Sequence, residues 1–296
     1  MTRARAGSAL LIVLVMLGMI AVLAAVIGRV VGGTVQTVGA AIAEDRAAVA
    51  AEAAVAVAGA IVAASAESGL PADNVVQEIR LAGVAATVTL VNERARIDLN
   101  GSDPAVIAGL FRVLGVDGDL AQQLAARVAD WRDPDDDAEP GGAELPAYEQ
   151  AGRPPPRNGP FVHPFELVSV LGVTPTLAAR AVPFLTVGNP SGLVDPFVAD
   201  RTVLMALPGV TERRVEDFIE ERALGTTGRE VALLQLGVED DYIGEDEAPG
   251  WRADIVATAD GDRPRRFQAV VVAGDDRRPY RVLYMLDETV LAPPGG

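Results

Sequence analysis

The densest chemistry in this chain of 296 residues lies between Asp130 and Tyr148. Asp130, Asp133, Asp135, Asp136, Asp137, Glu139 and Glu144 crowd into that stretch, and Arg132 is the only cation among them. Oxygen ligands at alternate residues let a curved loop converge on a hard cation, and a later carboxylate can close the far side. Asp133, Asp135, Asp137 and Glu144 stand at relative positions 1, 3, 5 and 12, the carboxylate spacing of an EF-hand loop. The remainder of that motif is absent. Ala138 occupies the position where the turn needs glycine, and Pro134 and Pro140 force a different path. The metal reading is therefore a calcium loop of another geometry, with Asp130 in or beside the shell. The plain alternative is a solvated acidic loop, which is what most charge runs are. An ion would relieve the mutual repulsion of so many carboxylates and so stabilise the folded loop.

Elsewhere the reactive inventory is thin. His163, the single histidine, sits between Val162 and Pro164, a setting that suits loop packing better than catalysis. No Ser/His/Asp set, zinc signature, phosphate loop or dinucleotide fingerprint can be assembled. The chain has no cysteine, which removes disulfides, thiol nucleophiles and thiolate metal sites. With 25 basic and 41 acidic residues the net charge is −16, and this argues against nucleic acid as a partner. Leu207–Pro208–Gly209–Val210, continued by Val215, Phe218 and Ile219, looks like a helix-hairpin-helix motif. Its flanks carry Glu212, Glu216, Asp217, Glu220 and Glu221, so a structural helical pair is the expected role.

Several elements must position the acidic segment. At the start, Arg3 and Arg5 precede an uncharged, apolar run from Ala6 to Gly28. As a helix this run reaches roughly 34 Å at 1.5 Å per residue, enough for a bilayer core of about 30 Å. The arginines hold the N-terminus in the cytoplasm and send the body across the membrane. Three readings compete for the segment: a plain anchor, a cleaved secretory signal, and a prepilin-type leader cut after Gly7. From Ser8 to about Ser68 nothing but a few glycines interrupts helix formation, and Gly69–Leu70–Pro71 ends it. Strand-like alternation comes next in Ala85–Val91 and, beyond a turn at Asn92–Glu93, in Arg94–Leu99. It returns near the end in Asp254–Thr258, Phe267–Val272 and Tyr280–Leu286, which read as a meander.

Residues 101–242 between these β regions read as mostly helical, and they contain a repeat. Gly109–Val116, Glu166–Val173 and Val203–Val210 share an apolar helix end closed by Gly-Val. Each reads as the first half of a helix–turn–helix unit, with Thr174 and Thr211 able to cap the second helix of their units. The expected architecture is α+β. A leader at 1–7 and a transmembrane and spine helix at 8–68 precede the first β region at 69–100. A helical insert at 101–242 and closing strands at 243–296 complete the chain.

Taken together these residues resemble the minor pseudopilin K family of type II secretion (general secretion pathway protein K). The resemblance is carried by Gly7–Ser8, Ile97–Asp98–Leu99–Asn100, and Asp130–Trp131–x–Asp133–x–Asp135 with Gly142–Ala143–Glu144 and Tyr148 beyond it. Asn158–Gly159–Pro160–Phe161, Glu166–Leu167 with Gly172–Val173, and Leu207–Pro208–Gly209 add to it. It implies a pilin-like fold: a long N-terminal helix against a small antiparallel sheet, with a large helical domain inserted between strands. It implies cleavage by the prepilin peptidase and an N-methylated Ser8. Most pseudopilins carry glutamate at the fifth mature position; here that residue is Ile12, which suits a subunit that follows no other and caps the pseudopilus tip. The implied partners are minor pseudopilins I and J, the inner-membrane secretion assembly and secreted substrates. The implied setting is a single pass through the bacterial inner membrane with a periplasmic body. Structural Ca2+ is implied in the helical domain, carried here by Asp133, Asp135, Asp137 and Glu144 with Asp130 beside them. The segment Val194–Ala199 departs from the Asn-rich pattern of relatives. A membrane-anchored, exported, metal-dependent hydrolase is the alternative function, and a non-enzymatic role is the expectation.

Overall fold

A computed structural model describes residues 19, 41–65, 68, 75–81, 83–225, 229–244, 250–259, 263–275 and 277–288. Gly7, Ser8 and Ile12, and nearly all of the Ala6–Gly28 run, lie outside the described residues. Helix α1 spans Ala41–Ser65. It is alanine-dense and proline-free, and Ala47, Ala50, Ala51, Ala54, Val55, Ala58 and Val62 form one buried stripe at helical spacing. These small side chains let the helix axis approach the sheet closely. At Gly59 a β-carbon would run into the ring of Tyr280 on the last strand. By length and composition α1 could cross a membrane, but its buried stripe shares a core with Val88, Leu90, Ile255 and Phe267 of the sheet. Its apolarity is the signature of packing on that sheet.

Among the described residues the sheet has five strands in the order β1 (Val76–Leu81), β2 (Val84–Asn92), β5 (Trp251–Ala259), β6 (Arg265–Asp275) and β7 (Arg278–Asp287), all antiparallel. Strict alternation produces it: Val84, Ala86, Val88 and Leu90 point into the core while Thr87 and Thr89 face outward. Strand β1 is not anticipated from the sequence. Five of its six residues are exposed, so no buried face imposes a period on it. The expected strand Arg94–Leu99 is corrected as well. The Asn92 side chain accepts a hydrogen bond from the Arg94 amide at 2.9 Å and starts a 3-10 turn over Glu93–Ala95. Only β3 (Ile97–Asp98) remains extended, and it pairs in parallel with β4 (Leu185–Thr186), away from the main sheet.

The chain leaves the sheet at Asn92 and re-enters at Trp251, and these two residues are register partners on neighbouring strands. Everything between them hangs from one end of the sheet. Glu93 sits at this exit, completely buried, with Arg252 Nη1 at 3.6 Å and Arg96 Nη1 at 3.8 Å. Burial pushes its carboxyl up to about 7 against the pull of Arg252.

The hanging part is helical and has its own core. It comprises α2 (Pro104–Val113), α3 (Gly118–Arg132), α4 (Leu145–Gln150), α5 (Pro175–Ala181), α6 (Arg201–Ala206), α7 (Glu212–Leu224) and α8 (Arg229–Leu236). Phe111, Leu124, Tyr148, Leu167, Leu204 and Phe218 meet in that core. Each of the three repeated units turns on a glycine with positive φ: Gly115 at 85°, Gly172 at 89° and Gly209 at 77°. This region is open only to a residue without a β-carbon or at a steric cost. Gly109 has a second reason to be glycine, since a β-carbon there would strike the Ala206 carbonyl where α2 crosses α6. Thr174 caps α5 through the Leu177 amide at 3.2 Å. Thr211 makes no such side-chain bond, contrary to expectation; instead Arg201 reaches across to Glu212 and Glu216 at the start of α7, at 2.6 Å each.

Candidate metal centre

Asp130 lies in the last turn of α3 and is fully buried. Its two oxygens accept from the amides of Glu139, at 3.2 Å, and Ala143, at 2.5 Å, so this one carboxylate folds the acidic loop back onto the helix. The loop comes so near that a β-carbon on Gly142 would collide with the Asp130 carboxylate. Burial holds the Asp130 carboxyl above its ordinary range, and the two amides only partly offset it. Trp131, next along, stacks on Phe161 at 5.9 Å and leans on Tyr148 at 6.2 Å. Asn100 clamps Phe161 from both sides of its backbone, donating to the carbonyl at 3.0 Å and accepting from the amide at 2.7 Å. Tyr148 is fully buried and its hydroxyl accepts from the Leu171 amide at 3.0 Å. The Asp-Trp, Asn-Gly-Pro-Phe and Tyr148 elements thus form one scaffold under the loop.

Above that scaffold are oxygens without donors. Glu144 opens α4, is 3% exposed, and has no hydrogen-bond partner at either carboxylate oxygen. Burial pushes its carboxyl up to about 7, and Asp130, Asp133, Asp136 and Asp135 add to the push. One oxygen of Asp133 is likewise buried and unpaired, and burial with neighbouring carboxylates raises that group too. The third contributor is Asn158. Held at φ 46°, it donates to the Asp135 carbonyl at 2.8 Å and to an Asp136 oxygen at 2.9 Å, which leaves its own Oδ1 buried without a partner.

The neighbouring cations are committed elsewhere. Arg132 donates to the carbonyls of Leu99, at 2.6 Å, and Ser102, at 3.1 Å. Arg157 pairs with Glu166 at 2.7 Å, and Arg127 and Arg153 bind backbone carbonyls. Carboxylate and amide oxygens that accept without a donor are the chemistry a hard cation satisfies, so this set fits calcium. As placed, no three carboxylates among the described residues are close enough together to hold an ion, so holding one would require side chains to close in.

Of the residues singled out from spacing, Asp130, Asp133, Asp135 and Glu144 are gathered in this region. Asp137 is exposed, and its amide is used by the Asp135 side chain at 3.0 Å. Asp136, passed over by the alternate-residue pattern, faces Asn158 instead. Spacing does not single out Asn158 at all, because it lies beyond the acidic run. Its one local signal is an asparagine before glycine, the residue type that tolerates left-handed backbone. His163 is a packing residue: it stacks on Phe165 at 5.0 Å and meets Tyr284 edge-on at 4.4 Å, and burial pushes its imidazole down to about 4, so it is neutral.

Residues 89–190, which include all of this scaffold, match the family model of type II secretion system protein K. This segment resembles a type II secretion system protein K domain. No curated protein matches the chain. Among solved structures, a chain from the crystal structure of the GspK-GspI-GspJ complex of the enterotoxigenic Escherichia coli type 2 secretion system superposes with a TM-score of 0.63. The identity is 16%, over 82% of this chain and 96% of that one. The likeness therefore extends well beyond residues 89–190, and it gives the chain its pilin-like α+β fold. Neither match supports the hydrolase reading.

Proposed function

We propose that this chain is a non-enzymatic minor pseudopilin that caps the tip of a type II secretion pseudopilus together with minor pseudopilins I and J, and helps start its assembly for protein export. The observation that carries this is architectural: a helical insert, whose first part matches type II secretion protein K, is mounted between neighbouring strands of a small, helix-backed antiparallel sheet. The chain enters the bacterial inner membrane through Ala6–Gly28, keeps its N-terminus cytoplasmic and places its body in the periplasm. Prepilin peptidase cuts after Gly7 and exposes a methylated Ser8, and Ile12 stands where a following subunit would carry glutamate. Bulk at one end of the sheet and the missing carboxylate agree on a terminal position. Glu144 and Asp133 with the Oδ1 of Asn158 would hold Ca2+, with Asp130, Asp135 and Asp137 as the further candidates. Its contribution is to neutralise the buried carboxylates and tie the loop to the scaffold.

Co-expression with the I and J pseudopilins of its own system tests the role. A stable complex containing all three is expected on size-exclusion chromatography, with secretion lost when this chain is deleted. Failure to co-elute with either pseudopilin, or secretion that proceeds without the chain, overturns the proposal. N-terminal mass spectrometry from hosts with and without prepilin peptidase tests the processing: methylated Ser8 is expected only in its presence.

A further inference from the structure

The acidic loop has a second face. Its outer segment, Glu139–Pro140, forms one wall of a groove of about 430 Å³ whose other walls are α2 and α3. The floor is made of alanine: Ala105 and Ala108 from α2, Ala125, Ala126 and Ala129 from α3. The short turn Leu114–Asp117 folds α3 back along α2, and Arg132 at the end of α3 is bound to the Ser102 carbonyl just before α2 begins. Arg112 and Gln122 therefore line the end near the turn, while Ala105, Ala129 and Glu139 line the opposite end. Arg112 lies seven positions after Ala105, so the groove runs for roughly 10 Å at 1.5 Å per residue. Opposite charges, Arg112 and Glu139, mark its two ends.

An alanine floor admits another backbone closely because nothing longer than a methyl group projects from it. We infer that this groove takes a helical segment of a partner protein, which lays one apolar side chain over the alanines and aligns an acidic residue with Arg112 and a basic residue with Glu139. Charges two turns apart on a helix, at i and i+7, are also separated by about 10 Å, so partner and groove are commensurate. Asp130 secures the loop wall through the Glu139 amide, so the groove exists whether or not the loop holds an ion.

The full chain in nanodiscs would be titrated with three fluorescein-labelled, lactam-stapled helical peptides, read by fluorescence anisotropy. All carry leucine at i+4; their i and i+7 residues are Glu and Lys, Glu and Glu, or Lys and Lys. The mixed peptide is expected to saturate below about 1 mM and to bind about fivefold or more tightly than either like-charged one. Arg112→Glu should transfer the preference to the Lys/Lys peptide, and Glu139→Lys to the Glu/Glu peptide. Ala105→Trp, at an exposed position, should abolish binding with an unchanged melting temperature. Absence of saturable binding, or a preference that the two charge reversals leave unmoved, overturns the inference.

Discussion

Glu144→Gln should change sign with calcium. In the ion-free protein the folded state holds a carboxyl at about 7, against 4.5 for the free group. A folded-state pKa raised in this way leaves stability intact below pH 4.5 and erodes it as pH rises through 7. The full shift corresponds to about 3 kcal/mol at about 1.4 kcal/mol per unit. The loop around Glu144 is largely exposed, and solvent screening reduces this to about 1–2 kcal/mol. In EDTA at pH 8 the variant should therefore melt about 2–6 °C above wild type, and the advantage should vanish near pH 4.5. In millimolar calcium the order should invert. Wild type gains RT ln(1 + [L]/Kd), about 2.7 kcal/mol at a hundredfold excess over Kd, and the variant loses most of it. Differential scanning fluorimetry at two pH values, with and without calcium, reads all four arms. A variant less stable than wild type in EDTA would show that Glu144 is satisfied by something other than an ion. Equal calcium stabilisation of both proteins would remove Glu144 from the shell.

The same geometry sets three further outcomes. Glu93→Gln should become more stable relative to wild type by about 1–2 kcal/mol between pH 5 and pH 8, because the buried carboxyl, raised to about 7, is then no longer ionised at the exit from the sheet; urea melts across that range check it. Gly142→Ala should destabilise by about 2–4 kcal/mol through its collision with Asp130, whereas Gly115→Ala, with positive φ but open space, should lose only about 1 kcal/mol; thermal melts of the two variants side by side check the difference. Tyr148→Phe removes the acceptor of the Leu171 amide and should lower stability by about 1–2 kcal/mol, seen as a lower denaturant midpoint with an unchanged m value.

The parts of the fold legible in the sequence are those that local chemistry dictates. The alternation of Val84–Leu90 needs only a buried and an exposed face to become a strand. The glycines at 115, 172 and 209 announce their turns because few other residues enter that region of backbone space. Edge strand β1 escapes notice because an exposed strand carries no burial pattern. The extended stretch of β3 falls within the expected strand Arg94–Leu99, but its pairing is hidden because its partner, β4, lies far along the chain, and no local property of Ile97–Asp98 encodes it. The acidic segment shows the same division. Its concentration of carboxylates is visible, but the use of both Asp130 oxygens to fold the loop back through the Glu139 and Ala143 amides is not. Which side chains turn inward is decided by Asn158 returning from a later loop and by the Trp131–Phe161 stack beneath, both of which depend on tertiary packing.

The pairing of Asn92 with Trp251 also sets how the protein carries load. The helical domain is attached through two strands that are hydrogen-bonded neighbours, with Glu93 bonded back to the Gly250 carbonyl at 2.9 Å where they part. Tension drawn along α1 enters the sheet through the face of the helix and spreads across five strands in shear, without passing through the domain. A push on the domain is delivered to both strands at one end of the sheet, in compression. A thrust on the domain therefore reaches the spine at one end of the sheet, through the two covalent links and the edge-on contact of His163 with Tyr284.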